Sequence, residues 1–199
     1  MEDVYEVGAE HHDRELFDEL IPLPHGTSYN AYVVKGSEKT VLLDTVEPAK
    51  EEVLFNNLDK LGVESIDHVV SHHAEQDHSG SIPAVLEEYP EATVVTNSKC
   101  KDMLIDHLQI PEKKIEVMES GDELSLGEEN LRFIDMPWVH WPETLVTYLD
   151  EKNLLFSCDF FGSHLATSNL YVQDRRKIYL AAKRYYAEII MPFRSSIKG

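Results

Sequence analysis

The chain has 199 residues, of which 42% are apolar and 28% charged, enough apolar material for a core and a poor match to a disordered chain. At roughly 150 residues per domain this length predicts one domain over residues 1–199. Lys and Arg number 18 against 37 Asp and Glu, a formal charge of −19 that repels phosphate backbones and anionic lipid headgroups, so no nucleic-acid and no membrane partner is expected.

The elements follow in chain order. Asn30 to Val34 and Thr40 to Asp44 are strand-like runs joined by the turn-prone Lys35-Gly-Ser-Glu, which predicts a hairpin. Pro48 opens a helical pattern with Val53, Leu54, Leu58 and Leu61 on one face and Gly62 as its stop. Ile66 to Ser71 reads as a buried strand leading into a polar stretch, His72-His-Ala-Glu-Gln-Asp-His-Ser-Gly. A second helix starts near Ser81, with Pro83 in its first turn and Ile82, Val85, Leu86 and Tyr89 at helical spacing. Ala92 to Thr96 is a strand, and Ser98 to Leu108 a helix capped by Ser98 or Asn97. Five short strands follow, at Ile115 to Met118, Glu123 to Leu126, Leu131 to Asp135, Thr144 to Leu149 and Leu154 to Ser157. Asp174 to Ile190 closes the chain as an amphipathic helix. Strands outnumber helices and helices fall between some of them, which predicts an α/β fold of two sheets covered by helices.

His73, Glu75, Asp77 and His78 stand within six residues, just past the end of a buried strand and beside a helix N-terminus. The bland alternative is a solvated polar loop. Against it, His140 and Asp159 recur in the same setting, each following a strand. Strand ends on one rim of a sandwich bring distant residues together, as a metal site requires. Imidazole suits iron, zinc and copper, whereas carboxylates are harder ligands that also suit iron and manganese. Three His and three carboxylates, with Asp159 free to bridge, describe a two-metal site with open positions.

The wording around these residues, HAEQDHSG, HWPET and LFSCDFFGSH, resembles the metallo-β-lactamase-like domain of flavodiiron proteins. The likeness extends upstream to GTSYNAYVV and LLDT, and so covers most of the chain. Hydrolases on this fold usually carry His where this chain has Glu75. The resemblance implies an αββα sandwich with two irons, in which His73, Glu75, His140 and Asp159 hold one. Asp77 and the bridging Asp159 hold the second, with His78 a ligand in some members. It further implies reduction of dioxygen to water or of nitric oxide to nitrous oxide, with electrons from a flavin or rubredoxin-type donor. The sequence departs from the family pattern in two places. A further His expected downstream of the bridging Asp has no counterpart, since none follows His164, and no flavodoxin-like FMN domain is present, so FMN would come from another domain or a partner. The ending, Ile190 to Gly199, resembles an internal stretch of the family, so the fold is expected to be truncated at its C-terminal end. Family members usually pair head to tail, which keeps a homodimer among the expectations.

Two neighbours carry weaker assignments. His25 lies in a loop resembling one beside the diiron pocket, where it could give a hydrogen bond or proton to bound gas; the alternative is a solvent-exposed turn histidine. Trp141 could wall the substrate pocket or be an ordinary packed side chain. His164 is a weaker candidate, without a derivable role. His11, His12, His68, His72 and His107 are expected to be bystanders. Cys158 is expected to face away from the metals into the core, and Tyr185 and Tyr186 to be core residues.

Two rival functions remain at this stage: a zinc hydrolase on the same fold, using a metal-bound water as nucleophile, and a non-catalytic diiron oxygen-binding or sensor module. Two cysteines are too few for a disulfide framework, the acidic start lacks a signal-peptide profile, and no apolar run approaches the roughly 18–20 residues that span a bilayer. A cytoplasmic location is expected.

Overall fold

The hairpin predicted from Asn30 to Asp44 forms the second and third strands of a six-stranded sheet. A computed structural model of the protein describes residues 3–167, 169–171 and 173–197. Before the hairpin come β1 (Val4–Glu6), β2 (Ala9–His11), β3 (Leu16–Phe17), β4 (Ile21–Pro22) and β5 (Thr27–Tyr29), all too short to leave a hydrophobic period in the sequence. The hairpin strands are β6 (Tyr32–Lys35) and β7 (Thr40–Leu43). From there the chain alternates through α1 (Glu51–Lys60), β8 (His68–Val70), α2 (Gln76–Ser79), α3 (Ile82–Glu88), β9 (Thr93–Thr96), α4 (Ser98–Leu108) and β10 (Ile115–Val117). The first sheet has the order β1-β6-β7-β8-β9-β10, antiparallel as far as β7 and parallel from β7 onward. Each parallel step is bridged by helix, as a crossover demands.

A second sheet follows as an antiparallel meander of β11 (Glu123–Ser125), β12 (Asn130–Asp135), β13 (Leu145–Leu149) and β14 (Leu154–Phe156). The two-residue period of the first sheet divides its side chains between two cores. Leu42, Val69 and Val94 face the helices and pack with Leu54, Leu58, Val85 and Leu104. Val41, Leu43, Val70 and Val95 face the second sheet and meet Leu131, Phe133, Leu145 and Leu149. These strands are apolar on both faces because both faces are covered, which is why Ile66 to Ser71 reads as a continuous apolar run.

The helix boundaries match their chemistry. Asn97 is the cap of α4, its side-chain oxygen accepting from the Cys100 N–H at 3.0 Å. In α1 Leu54 and Leu58 are buried, but Val53 is 38% exposed and belongs to the outer face. The predicted terminal helix is shorter than its pattern. Asp174 caps α5 (Arg175–Tyr185) through the N–H groups of Arg176 and Lys177, the chain then widens into a π-turn at Tyr186–Ile190, and a last helix, α6, covers Arg194–Ile197. Tyr185 is buried with Val139 and Ile190, whereas Tyr186 is 47% exposed, contrary to its expected place in the core. Among the described residues no helix is long and apolar enough to cross a membrane.

Candidate metal centre

Both sheets point strand ends at the same rim. The segment after β8 carries His73 and Glu75, and the single turn of α2 carries Asp77 and His78. The segment between β12 and β13 supplies His140, and the turn after β14 supplies Asp159. The first segment is tightly held. Ser79 Oγ donates to the carbonyls of Ala74 and Glu75, Ser71 Oγ donates to the His73 carbonyl, and Thr45 donates to the His78 carbonyl through both N–H and hydroxyl. The two sheets are joined here by Leu145 N–H donating to the His72 carbonyl.

The six side chains singled out in the sequence converge. Glu75 Oε2 lies 3.1 Å from His73 Nε2 and 3.3 Å from His140 Nε2, and Asp159 Oδ2 lies 3.2 Å from His140 Nε2 and 3.8 Å from His73 Nε2. The other oxygen of Asp159, Oδ1, stands 3.1 Å from His78 Nε2, which in turn is 3.8 Å from Asp77 Oδ1. Asp77 Oδ1 is buried without a hydrogen-bond partner among the described residues. Donors held about 2.1 Å from one ion sit about 3.0–3.4 Å apart, and three of the four separations have that spacing, His73 to Asp159 being wider at 3.8 Å. An orphaned buried carboxylate oxygen beside them is what a second cation would satisfy. The donor set fits two borderline-hard divalent metals.

The electrostatics of the metal-free chain say the same. Burial disfavours charge on His73, but hydrogen bonds to Glu143 and Glu75 outweigh it and raise the imidazole to about 9. His140 is raised to about 9, again against burial, by Asp159 and Glu75. Burial pushes Asp77 up to about 7, with Asp159 and Glu75 adding to the shift. Burial opposes ionisation of Glu75, yet His140 and His73 hold it down at about 2. Imidazolium is standing in for a cation among crowded carboxylates.

A further layer of residues supports the six and was not assigned by sequence. Glu143, fully buried, accepts through Oε1 from His73 Nδ1 at 2.6 Å and from Ala74 N–H at 3.0 Å, leaving Nε2 to face the other donors. It is the only carboxylate between Asp135 and Asp150, in a stretch otherwise rich in apolar residues, and that is the signal it leaves in the sequence. Asp44 accepts from His72 N–H at 2.8 Å and pairs with His72 Nδ1 at 2.9 Å, while Oδ2 lies 3.4 Å from His78 Nδ1. His72 Nε2 meets Thr147 Oγ1 of the second sheet at 2.8 Å. His72 is therefore no bystander: it clamps the two sheets under the ligand loop. Asp18 also went unassigned. It lines a cavity with Glu75 and Asp77, and burial together with the Glu75 charge raises its pKa.

Other expectations need correction. His25 is exposed and lines neither cavity beside the centre; its carbonyl accepts from Ala166 N–H. Cys158 does not face away from the cluster. A left-handed φ of 49° turns Sγ to 3.8 Å from His78 Nδ1, and burial pushes the thiol up. His11, expected to be a bystander, pairs with Tyr29. Trp141 stands edge-on to His73 at 5.1 Å and to His140 at 6.4 Å. His164 packs between Phe17 and Tyr185, and its ring borders a cavity of about 260 Å³ together with His78 and Asp159.

Two packed sheets with a His, Asp and Glu cluster at their shared rim define a metallo-β-lactamase-like metal-binding domain. Residues 27–198 match the family described as ODP family beta lactamase, and the chain belongs to it. More particularly, the chain is similar to proteins named as nitric oxide reductases, flavorubredoxins and flavodiiron proteins. The chain is 36% identical over 172 residues to the anaerobic nitric oxide reductase flavorubredoxin of Vibrio vulnificus, covering 84% of this chain and 35% of that protein. It is 38% identical over 175 residues to the nitric oxide reductase of Moorella thermoacetica, covering 86% of this chain and 44% of the relative. Among solved structures, the flavodiiron protein from Giardia intestinalis superposes with a TM-score of 0.94 at 28% identity, over 100% of this chain and 49% of that one. The rubredoxin oxygen:oxidoreductase of Desulfovibrio gigas gives 0.93 at 29% identity, over 98% and 49%. The chain thus spans between about a third and a half of the length of these relatives.

Proposed function

We propose that this chain, a single domain over residues 1–199, is the metal-bearing part of a non-haem diiron oxidoreductase. It would reduce dioxygen to water, nitric oxide to nitrous oxide, or both, taking electrons from a flavin or rubredoxin-type donor. The carrying observation is the posture of Asp159, whose two oxygens face two different sets of donors, Oδ2 toward His140 and His73 and Oδ1 toward His78. That is the posture of a carboxylate placed between two ions. His73, Glu75, His140 and Asp159 would hold one iron, and Asp77, Asp159 and His78 the other. When bound, two adjacent ferrous ions would supply electrons together to a diatomic gas. The protein's own contribution is to fix the donors. Glu143 holds His73 in the tautomer that presents Nε2, Asp44 and Cys158 lie 3.4 and 3.8 Å from His78 Nδ1, and Trp141 walls the His73 and His140 rings.

The names of the relatives support this reading, since they include a nitric oxide reductase and a rubredoxin oxygen:oxidoreductase. The test is anaerobic purification, metal analysis, and gas turnover driven by a reduced flavoprotein or rubredoxin. Two irons per chain with donor-dependent oxygen uptake or nitrous oxide formation is the expected result. Zinc in place of iron, with ester or lactam hydrolysis, would overturn it in favour of a hydrolase. Two irons with reversible gas binding and no turnover would make the chain a sensor or store.

A further inference from the structure

Reduction of dioxygen to water takes up one proton per electron, and so does reduction of nitric oxide to nitrous oxide and water. A buried centre doing either needs a path for protons as well as for gas. A cavity of about 100 Å³ lies against two of the proposed ligands, Glu75 and Asp77, and its other walls include Arg14, Tyr29 and Glu47. Tyr29 is 4% exposed, and among the described residues its hydroxyl pairs with His11 Nδ1 at 2.9 Å. The opposite nitrogen of that ring, Nε2, lies 3.6 Å from Asp13 Oδ1, on a side chain that is 87% exposed. The antiparallel pairing of β2 with β5 sets Ala9 against Tyr29 and His11 against Thr27. His11 and Tyr29 are therefore diagonal neighbours on one face of the ribbon, within reach of each other by construction. Gly8, just before β2, lets the backbone approach the Tyr29 carbonyl closely, since a Cβ there would collide with that oxygen.

Resting on the functional reading above, we infer that Asp13, His11 and Tyr29 form a proton inlet from solvent to the cavity beside Glu75 and Asp77. In each passage the Tyr29 O–H bond breaks as its proton goes to a reduced-substrate oxygen or water in the cavity. The phenolate oxygen takes the proton from His11 Nδ1, and His11 Nε2 takes one from solvent at Asp13. A flip of the His11 ring then restores the starting tautomer. No electron moves in these steps; electrons come separately from the flavin or rubredoxin-type donor. Burial keeps the phenol protonated, raised to about 12, and keeps His11 neutral, with Lys50 and Arg14 adding to that effect and Asp13 opposing it.

The test uses the full chain loaded with Fe(II), with variants Y29F and H11A. Without turnover, a nitrogen-15 spectrum of the metal-free chain reads the His11 tautomer directly. Nδ1 should carry the proton and its resonance should shift in Y29F. In turnover, both variants should keep the iron content of wild type while gas reduction slows about 100-fold, the low end of what a lost proton donor costs. Added imidazole should restore H11A and leave Y29F slow, an outcome that a purely structural role for His11 would not give. Wild-type rates in iron-loaded Y29F and H11A overturn the inlet alone. A wild-type chain that holds iron and reduces neither gas overturns the functional reading, and the inlet falls with it. If H11A fails to fold, H11Q, which keeps a side-chain amide for Tyr29 and cannot pass a proton, should be as slow as Y29F, and a wild-type rate there refutes the inlet.

Discussion

Removing the Glu143 carboxylate should weaken metal binding without touching any proposed ligand. Its Oε1 takes two hydrogen bonds, from His73 Nδ1 at 2.6 Å and Ala74 N–H at 3.0 Å, and the side chain is fully buried. Outer carboxylates of this kind contribute about 10–100-fold to metal affinity, or ~1.4–2.7 kcal/mol. Glu143→Gln keeps an oxygen for both donors and loses the charge, so about a tenfold loss is expected. Glu143→Leu loses both bonds. It should cost about 100-fold in affinity and destabilise the metal-free chain by about 1–3 kcal/mol for each buried donor left unpaired. Anaerobic competition against a chromogenic chelator reads the affinity, and urea unfolding reads the stability. Wild-type affinity in a folded Glu143→Leu chain would show that His73 needs no partner to present Nε2, and the proposed division between ligands and supports would fail.

Metal loading should release protons. His73 and His140 are raised to about 9, above their ordinary value near 6.5, so in the metal-free chain they carry charge at pH 7.5 and must lose it to bind. Calorimetry in two buffers of different ionisation enthalpy should find about two protons released from these imidazoles at pH 7.5 and a third from His78, itself raised well above its ordinary value, with the His73 and His140 share lost above about pH 10. By the same sign, the ion pairs of these imidazolium groups stabilise the metal-free chain most below pH 6.5, and that stability drains as pH rises through 9. Asp159→Ala should reduce bound metal to one ion or none, measured by elemental analysis of the desalted protein. Phe133→Ala, at 2% exposure between the two sheets, should cost about 3–5 kcal/mol in urea unfolding and leave the metal-to-protein ratio of the surviving folded fraction unchanged.

How much was legible in the sequence varied with the range of the interactions. The alternation from Thr40 to Val117 announced itself because the longer helices show their own period and the covered strands between them read as apolar runs, and Asn97 announced itself as a cap because capping is a local bond. The strands before Tyr29 were silent. Two or three residues carry no period, and β2 exists only through its pairing with β5. The terminal helix was overdrawn because the apolar pattern from Arg175 to Ile190 does not reveal where the backbone widens into a π-turn.

By itself the sequence determined which side chains are candidate ligands and the strand ends that bear them. His73, Glu75, Asp77 and His78 share a loop and need only that loop to be neighbours. What the tertiary structure decided is everything that depends on two sheets meeting at one rim. It brought His140 and Asp159 to the loop, set Glu143 behind His73, locked Asp44 and His72 against Thr147, turned Cys158 toward His78, and left His25 outside. The reason is that a ligand must be chemically distinctive, and so shows in a list of residues, whereas a support can be any acid in the right place. The place is fixed only when strands distant in sequence have packed.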